Sequence, residues 1–151
     1  MDEATRRKIL DILNQHRIMT IATLRPDGWP QATTVGYAND GLTIYFLCGR
    51  DSQKAANLAL DDRVSLTVDH DTPQVMEISG LSMAARARAV LDPKEAEKAV
   101  AMLMRRYPQQ ESAGLPAMPS PADVSLFRVT PEVISVLDYA KGFGHTDLVT
   151  R

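Results

Sequence analysis

The sequence predicts a mainly β protein with flanking helices, built as an antiparallel barrel. Several short runs alternate between apolar and polar residues, which is the pattern of strands that bury one face. Turn residues separate these runs at close spacing, without the regular strand–helix alternation of a doubly wound sheet. We therefore predict a single domain over residues 1–151, with a length sufficient to bury a core.

The first half of the chain predicts a helix, then strands, then a short helix. Apolar residues recur at helical spacing over residues 3–16, which predicts an amphipathic helix. A turn with Pro26 and Gly28 and a tight hairpin at residues 39–41 separate the alternating runs. The predicted strands span residues 18–24, 31–37, 42–47 and 63–69, and the short helix follows the third of them.

The second half predicts a long strand, a helix and two short strands. Small residues in period two over residues 75–91 favour a strand, although alanine repeats fit a helix equally well, and Gly80 predicts a bulge or bend. The run Asp92-Pro93-Lys94-Glu95 is typical of a helix start, and the apolar stripe continues to Tyr107. An exposed loop at residues 108–121, strands at 123–129 and 132–137, and a glycine-spaced tail at 138–145 complete the prediction.

Composition excludes several functional classes. The chain is 44% hydrophobic and 24% charged, with a net charge of −2 and no basic run, which argues against nucleic-acid binding. No apolar stretch approaches the roughly 20 residues of a membrane helix, and the N-terminus leads into an amphipathic helix, so a cytoplasmic location is expected. Cys48 is the lone cysteine and the three histidines lack metal-ligand spacing, so no metal site is expected.

The stretch over residues 45–58 predicts a phosphate-binding corner. It reads as a strand end followed by a short helix, with Asp51 or Ser52 as the capping residue. Arg50 and Lys54 flank the helix start, although the positive end of a helix normally attracts acidic residues. Two cations fit there when an anion is bound between them. The alternative is a solvated Arg50 and Lys54 beside a capping serine.

Protein side chains offer little catalysis of their own. The chain contains no nucleophile elbow, glycine-rich dinucleotide loop or Walker loop. The trio Asp69-His70-Asp71 fits a solvated turn better than a catalytic cluster. Cys48 is either a thiolate activated by nearby cations or, more in keeping with a strand, a small buried side chain. A bound cofactor would therefore have to carry any reaction.

Three blocks of sequence resemble the pyridoxamine 5′-phosphate oxidase-like family of flavoproteins. These are residues 20–31, residues 46–54 and residues 61–66. The second is the most specific, because Phe46-Leu47-Cys48 followed by Ser52 and Lys54 is similar to the family's Phe-Tyr-Thr-x-x-x-Ser-x-Lys corner. The resemblance covers nearly the whole chain. It implies an antiparallel Greek-key split β-barrel of the FMN-binding type, in which two subunits bury FMN in two equivalent clefts.

The resemblance also implies roles for individual residues. Ser52 and Lys54 would bind the FMN phosphate, with Gln53 or Arg50 assisting. Leu47 and Cys48 would lie beside the ribityl chain or the ring. The isoalloxazine would be lined by the backbone of four residues of one strand, Ala32, Thr33, Thr34 and Val35. Ala32 stands where the oxidases have an arginine, which makes Arg50 the candidate to replace that charge.

The C-terminal part departs from the oxidases. They end in a Trp and an Arg-Leu-x-Pro segment that binds pyridoxal phosphate, and nothing in this chain matches it. We therefore do not expect the vitamin to be the substrate. Phe143 and His145 are candidates to close over the flavin or the substrate; the alternative is a tail that only packs across the dimer.

The leading hypothesis is a homodimeric FMN-dependent oxidoreductase that transfers two electrons between FMN and a small substrate. No residue is assigned as catalytic acid or base. One alternative is a flavin- or haem-binding protein without turnover, since related split barrels bind haem, with His70 and His145 as candidate axial ligands. Another is a reductase that uses a deazaflavin coenzyme.

Overall fold

Eight antiparallel strands form one continuous sheet in the computed structural model, which describes residues 1–108 and 119–151. The strand order is β2-β1-β5-β6-β7-β4-β3, and β8 pairs with β7. The strands are β1 (Ile18–Leu24), β2 (Pro30–Gly36), β3 (Ala38–Asp40), β4 (Thr43–Gly49), β5 (Arg63–His70), β6 (Ser79–Ala89), β7 (Val124–Asp138) and β8 (Thr146–Thr150). The helices in these ranges are α1 (Glu3–Gln15), α2 (Gln53–Leu60) and α3 (Pro93–Arg106).

The sheet curls around one apolar core. Every second residue of a strand points inward, as Met19 and Ile21 of β1 do, and these side chains pack with Ile9 and Leu13 of α1. The Phe46 and Phe127 rings stack across the β4–β7 pair, with centroids 5.4 Å apart. The three helices lie around this sheet. The predicted mainly β fold, an antiparallel split barrel with flanking helices, is confirmed.

Side chains cap the helix starts, as the sequence predicts for α2 and α3. Asp2 accepts a hydrogen bond from the Thr5 N–H at 2.8 Å, and Asp92 accepts one from the Lys94 N–H at 3.2 Å with Pro93 in the first turn. The capping residue of α2 is Ser52 and not Asp51. Among the described ranges, no helix is long and apolar enough to cross a membrane.

Gly80 does not mark the predicted bulge. It pairs in register with Asp69 on β5 and Leu137 on β7. A Cβ atom at this position would lie 2.9 Å from the Val68 carbonyl oxygen, which is closer than packed atoms approach. Gly80 therefore permits a close strand approach, and the long run over residues 75–91 is a strand only from Ser79 to Ala89.

The two strands predicted at 123–129 and 132–137 are one strand. The 15-residue β7 runs through Thr130 and Pro131 because the irregularity in pairing falls there: Ala84 pairs with Val133 and Ala85 with Pro131. Glu132 is the extra residue of this bulge, and a bulge is one of the few places where a strand accepts proline. The prediction of two strands is wrong because a proline ends a strand only where its missing N–H is needed for pairing.

The tail continues into a strand that the sequence did not predict. After a short 3₁₀ turn at Tyr139–Lys141, β8 pairs antiparallel with the second half of β7. Its five residues carry one buried apolar side chain, Val149, which is too weak a pattern to signal a strand. Most of the predicted loop at 108–121 lies outside the described residues, and Pro121–Asp123 forms a 3₁₀ turn.

Replacing Gly80 with alanine should destabilise the protein by about 1–3 kcal/mol, because the backbone of β5 must move to admit the new Cβ. The matched control is Gly49→Ala in β4, where the nearest atom outside the neighbouring residues is Ser52 Cβ at 3.8 Å. Urea denaturation measures both free energies of unfolding. Equal values for the two variants would contradict the close approach at Gly80.

We predict that the protein loses stability at alkaline pH because of the buried Tyr37. Its side chain is fully buried and its hydroxyl donates to the Leu13 carbonyl oxygen at 2.8 Å. Burial raises the pKa of Tyr37 from 10.0 to about 12. The folded state therefore holds this proton more tightly, so the stability is complete below pH 10 and falls as the pH rises towards 12. Urea titrations over this range should show a shallower decline for Tyr37→Phe; an identical decline would refute this role.

Candidate functional site

The turn between β4 and α2 forms the corner that the sequence predicts. The Ser52 N–H donates to the Gly49 carbonyl oxygen at 3.1 Å, which tightens the turn. The Ser52 hydroxyl accepts from the Ala55 N–H at 3.2 Å and so caps α2. The preceding N–H groups of the helix, those of Gln53 and Lys54, have no intrahelical acceptor. A helix start of this kind can bind an anion.

Lys54 is the cation of this corner. Its side chain is half-buried, and no carboxylate within residues 1–108 and 119–151 forms an ion pair with it. Two arginines on the strands that follow α2 do have carboxylate partners: Arg63 lies 2.6 Å from an Asp61 oxygen and Arg86 lies 2.7 Å from an Asp62 oxygen. The positive charge of Lys54 therefore adds to that of the helix start.

The thiol of Cys48 faces the same corner but is not activated. Burial raises the pKa of Cys48, and the hydrogen bond from Ser52 and the charge of Lys54 oppose this effect without reversing it. The thiol is therefore protonated at neutral pH, which favours the small buried side chain over the reactive thiolate. Leu47 points to the opposite face of β4, into a cleft beside α3.

A buried amide holds α2 in place, and sequence reasoning missed it. Asn57 is fully buried, and its Nδ2 donates to Thr23 Oγ1 at 2.9 Å and to Gln31 Oε1 at 3.3 Å. Its Oδ1 accepts from Gln53 Nε2 at 2.8 Å. The network ties the helix start to β1 and β2. The available signal was a polar residue next to Leu58 on the buried face of a short helix.

Strand β2 presents a free edge near this corner. It is the terminal strand of the sheet path and pairs only with β1 among the described strands. Thr33 and Val35 point inward, where Val35 packs on the core, while Ala32 and Thr34 are exposed on the other face. The Thr33 hydroxyl is buried without a hydrogen-bond partner in the described part of the chain. An orphaned hydroxyl of this kind needs a ligand or water partner.

Arg50 lines a cleft of which Lys54 is not a part. Its backbone N–H donates to the Asp123 carbonyl oxygen at 2.8 Å, and its side chain lines the cleft beside α3 together with Leu47. The structure therefore brings Cys48, Ser52 and Lys54 together and places Arg50 and Leu47 in a separate cleft.

The tail candidates lie at the other end of the barrel. The end of β4 pairs with Val124 at the start of β7, whereas the tail follows Asp138 at the other end of that strand. At about 3.3 Å per residue, roughly 45 Å of strand separates the two ends. Phe143 is 77% exposed and packs its ring edgewise on Tyr139. Within one chain the tail therefore does not reach the corner.

The candidate haem ligands already have polar partners. His145 Nε2 lies 3.1 Å from Asp147 Oδ1, and His70 Nδ1 lies 3.2 Å from Nε2 of His16. Both histidines are at the tail end of the barrel, because the end of β5 pairs with the start of β6 and that start pairs with Asp138. In the portion of the chain described, no three His, Cys, Asp or Glu side chains are placed to hold a metal ion.

Comparison with known proteins identifies the family. The sequence model of the family described as pyridoxamine 5′-phosphate oxidase matches residues 5–138. The chain belongs to this family. The match contains the β4–α2 corner, the edge strand β2 and the whole of β7, whereas β8 lies beyond it.

Individual relatives agree on the fold and differ in what they are named for. General stress protein 26 of Bacillus subtilis is 29% identical over 66 residues, which are 44% of this chain and 46% of that protein, so the alignment spans about half of its length. A conserved hypothetical protein from Mycobacterium tuberculosis is 29% identical, with a TM-score of 0.76 over 97% of this chain and 91% of that one. A haem-binding protein from Mycobacterium smegmatis also has a TM-score of 0.76, at 19% identity over 99% of this chain and 59% of its own.

Replacing Asn57 with alanine should cost about 1–3 kcal/mol of stability, because Thr23 and Gln31 lose a buried donor. The control is Asn14→Ala on α1, whose side chain accepts its hydrogen bond from Asn39 at the exposed surface and whose loss should cost little. Thermal and urea unfolding measure both variants. A neutral Asn57→Ala would mean that the amide network does not anchor α2.

Proposed function

We propose that this protein is an FMN-dependent oxidoreductase that acts on a small molecule as a homodimer. The observation that carries the proposal is the half-buried Lys54 at the capped start of α2, which has no ion-pair partner among the described residues. This is the chemistry of a phosphate site, in a chain that belongs to the pyridoxamine 5′-phosphate oxidase family. A cytoplasmic location is part of the same proposal.

The residues present fit FMN. Lys54 would hold the phosphate by a charge-assisted hydrogen bond, supported by the Ser52 hydroxyl and the free N–H groups of Gln53 and Lys54. The unpaired edge of β2, over residues 32–35, would supply backbone groups to the ring, and the orphaned Thr33 hydroxyl would gain a partner. Bound FMN would supply the two-electron transfer to or from the substrate.

The side chains of this chain would bind and orient rather than exchange protons. Gln53 already donates to Asn57, so its part in the corner is to hold α2 as well as to contact an anion. The Cys48 thiol, with its raised pKa, would form a neutral wall. Ala32 supplies no charge where the oxidases have an arginine, and Arg50 lies in the other cleft. Lys54 therefore carries the phosphate charge largely alone.

The position of the tail supports the proposed homodimer. Phe143 and His145 lie at the end of the barrel away from Lys54, so they can close over a flavin only if it is bound by a second copy. The exposed Phe143 ring is an apolar side chain available for such packing. The tail lacks the oxidase segment that binds pyridoxal phosphate, so we propose a substrate other than the vitamin.

Replacing Lys54 with glutamine should weaken FMN binding by about 1.5–3 kcal/mol, the value of a hydrogen bond to a charged group. This corresponds to roughly 10- to 150-fold in the dissociation constant. Flavin-fluorescence titration of the stripped protein measures it. The control Lys94→Gln removes an exposed lysine at the start of α3 and should bind FMN normally. Unchanged binding by Lys54→Gln would refute the phosphate corner.

A haem-binding protein without turnover is the second candidate. It is supported by the haem-binding protein from Mycobacterium smegmatis, which shares the fold at 19% identity. A haem would need an axial ligand, for which His70 or His145 would have to leave its present partner. A deazaflavin coenzyme would use the same corner as FMN. The visible spectrum of the purified protein, followed by titration with each cofactor, distinguishes the three.

A further inference from the structure

A second cleft lies on the other side of β4 from the phosphate corner. It has a volume of about 490 Å³ and lies between α3 and the strand ends of β4, β6 and β7. Apolar side chains form most of its wall, namely Leu47, Val90, Leu91, Val100, Met104 and Leu126. Volume and lining are those of a small-molecule site. FMN binding as proposed above does not account for this cleft.

Helix α3 carries more apolar surface than the barrel covers. Ala99 and Leu103, four residues apart, are buried against the sheet. A second row, Ala96, Val100 and Met104, has the same spacing and faces the cleft instead. Leu91, just before the helix, is 89% exposed. Apolar side chains concentrated in a concave surface indicate a ligand.

Among the described residues that line this cleft, Arg50 is the cation. Its side chain is exposed and forms no ion pair with the residues described. The other arginines in this half of the barrel each have a carboxylate partner: Arg25, Arg63, Arg86, Arg88 and Arg128. Within residues 1–108 and 119–151, no Asp or Glu is part of the cleft's lining, so the charge of Arg50 faces a ligand there without a described counter-charge. Guanidinium groups bind carboxylates through two parallel hydrogen bonds.

The strand separates this cleft from the phosphate corner. Cys48 points to Ser52 and Lys54, and its neighbour Leu47 points to α3, because successive side chains of a strand alternate between faces. The turn that follows β4 then places Arg50 and Lys54 on the two sides. A ligand in the cleft would contact Leu47 and Arg50 without contacting Lys54.

We propose that this cleft binds a small apolar organic acid, such as an aromatic or short-chain aliphatic carboxylate. The apolar body of the ligand packs between Val100, Met104 and Leu126, and its carboxylate lies against the Arg50 guanidinium at the mouth. Charge complementarity selects this ligand over a neutral one, since the cleft offers a cation without a counter-charge. The site does not require bound FMN.

The test uses two fluorescent probes of similar shape, the anion 8-anilinonaphthalene-1-sulfonate and the neutral N-phenyl-1-naphthylamine. Both should bind the full-length protein. Arg50→Leu should raise the dissociation constant of the anionic probe about three- to tenfold, the range for an exposed charge, and leave that of the neutral probe within about twofold. Benzoate and octanoate should displace the anionic probe from the unsubstituted protein.

Matched variants locate the effect. Arg63→Leu removes an arginine that is paired with Asp61 and should bind both probes normally. Lys54→Gln should lose FMN affinity and keep probe affinity, so failure of the flavin proposal and failure of this one are distinguishable. Val100→Asp places a carboxylate at a partly exposed position of the cleft and should weaken both probes, with circular dichroism as the check of folding.

Three results would overturn the assignment. One is equal binding of the anionic probe by Arg50→Leu and the unsubstituted protein. Another is displacement of the probe by FMN, which would make the cleft part of the flavin site. The third is a dimer that excludes both probes and dissociates in Val100→Asp, which would make a second copy the occupant.

Discussion

The pairing of β7 with β4 and β6 is the constraint on which the rest of the structure depends. This 15-residue strand pairs along most of its length with β6, and its first half also closes onto β4 while its second half carries β8. Pro131 lies beside the bulge at Glu132, between the part of β7 that pairs with β4 and the part that pairs with β8, where a strand tolerates a residue without an N–H. Because β7 is long and unbroken, the β4–α2 corner and the tail lie at opposite ends of this strand.

The corner itself depends on a short helix that would be marginal alone. Eight residues are too few for an isolated helix to be stable in water, so α2 must be held by tertiary contacts. Leu58 contributes burial and Asn57 contributes directional hydrogen bonds to β1 and β2. The buried amide network of Asn57 fixes the position of the helix, and so of Lys54 at its start. The contacts that stabilise α2 thus lie next to the candidate site and not within it.

Sequence reasoning succeeded where the signal was local. Helix periods and caps predicted α1, α2 and α3, with Ser52 as the cap of α2, and alternation predicted most strands. It failed where the deciding contact was distant in sequence. Gly80 looks like an interruption until the Val68 carbonyl oxygen is placed beside it, and Pro131 looks like a strand end until the register with β6 is known. Asn57 gains its meaning from Thr23 and Gln31, which lie more than 25 residues away.

The different surroundings of Arg50 and Lys54, which follow β4, are the feature that the sequence predicts least and that matters most for the proposed ligands. In the sequence, Arg50 and Lys54 are four residues apart around one helix start, which predicts that they bind one anion together. In the structure, strand alternation and the turn after Gly49 direct them to two sides, one half-buried and one exposed. Burial decides how strongly each acts: a charge that is partly removed from water is screened less by salt and contributes more per contact than one at the surface. Under the two proposals above, the half-buried Lys54 would hold a cofactor and the exposed Arg50 would bind a ligand that exchanges.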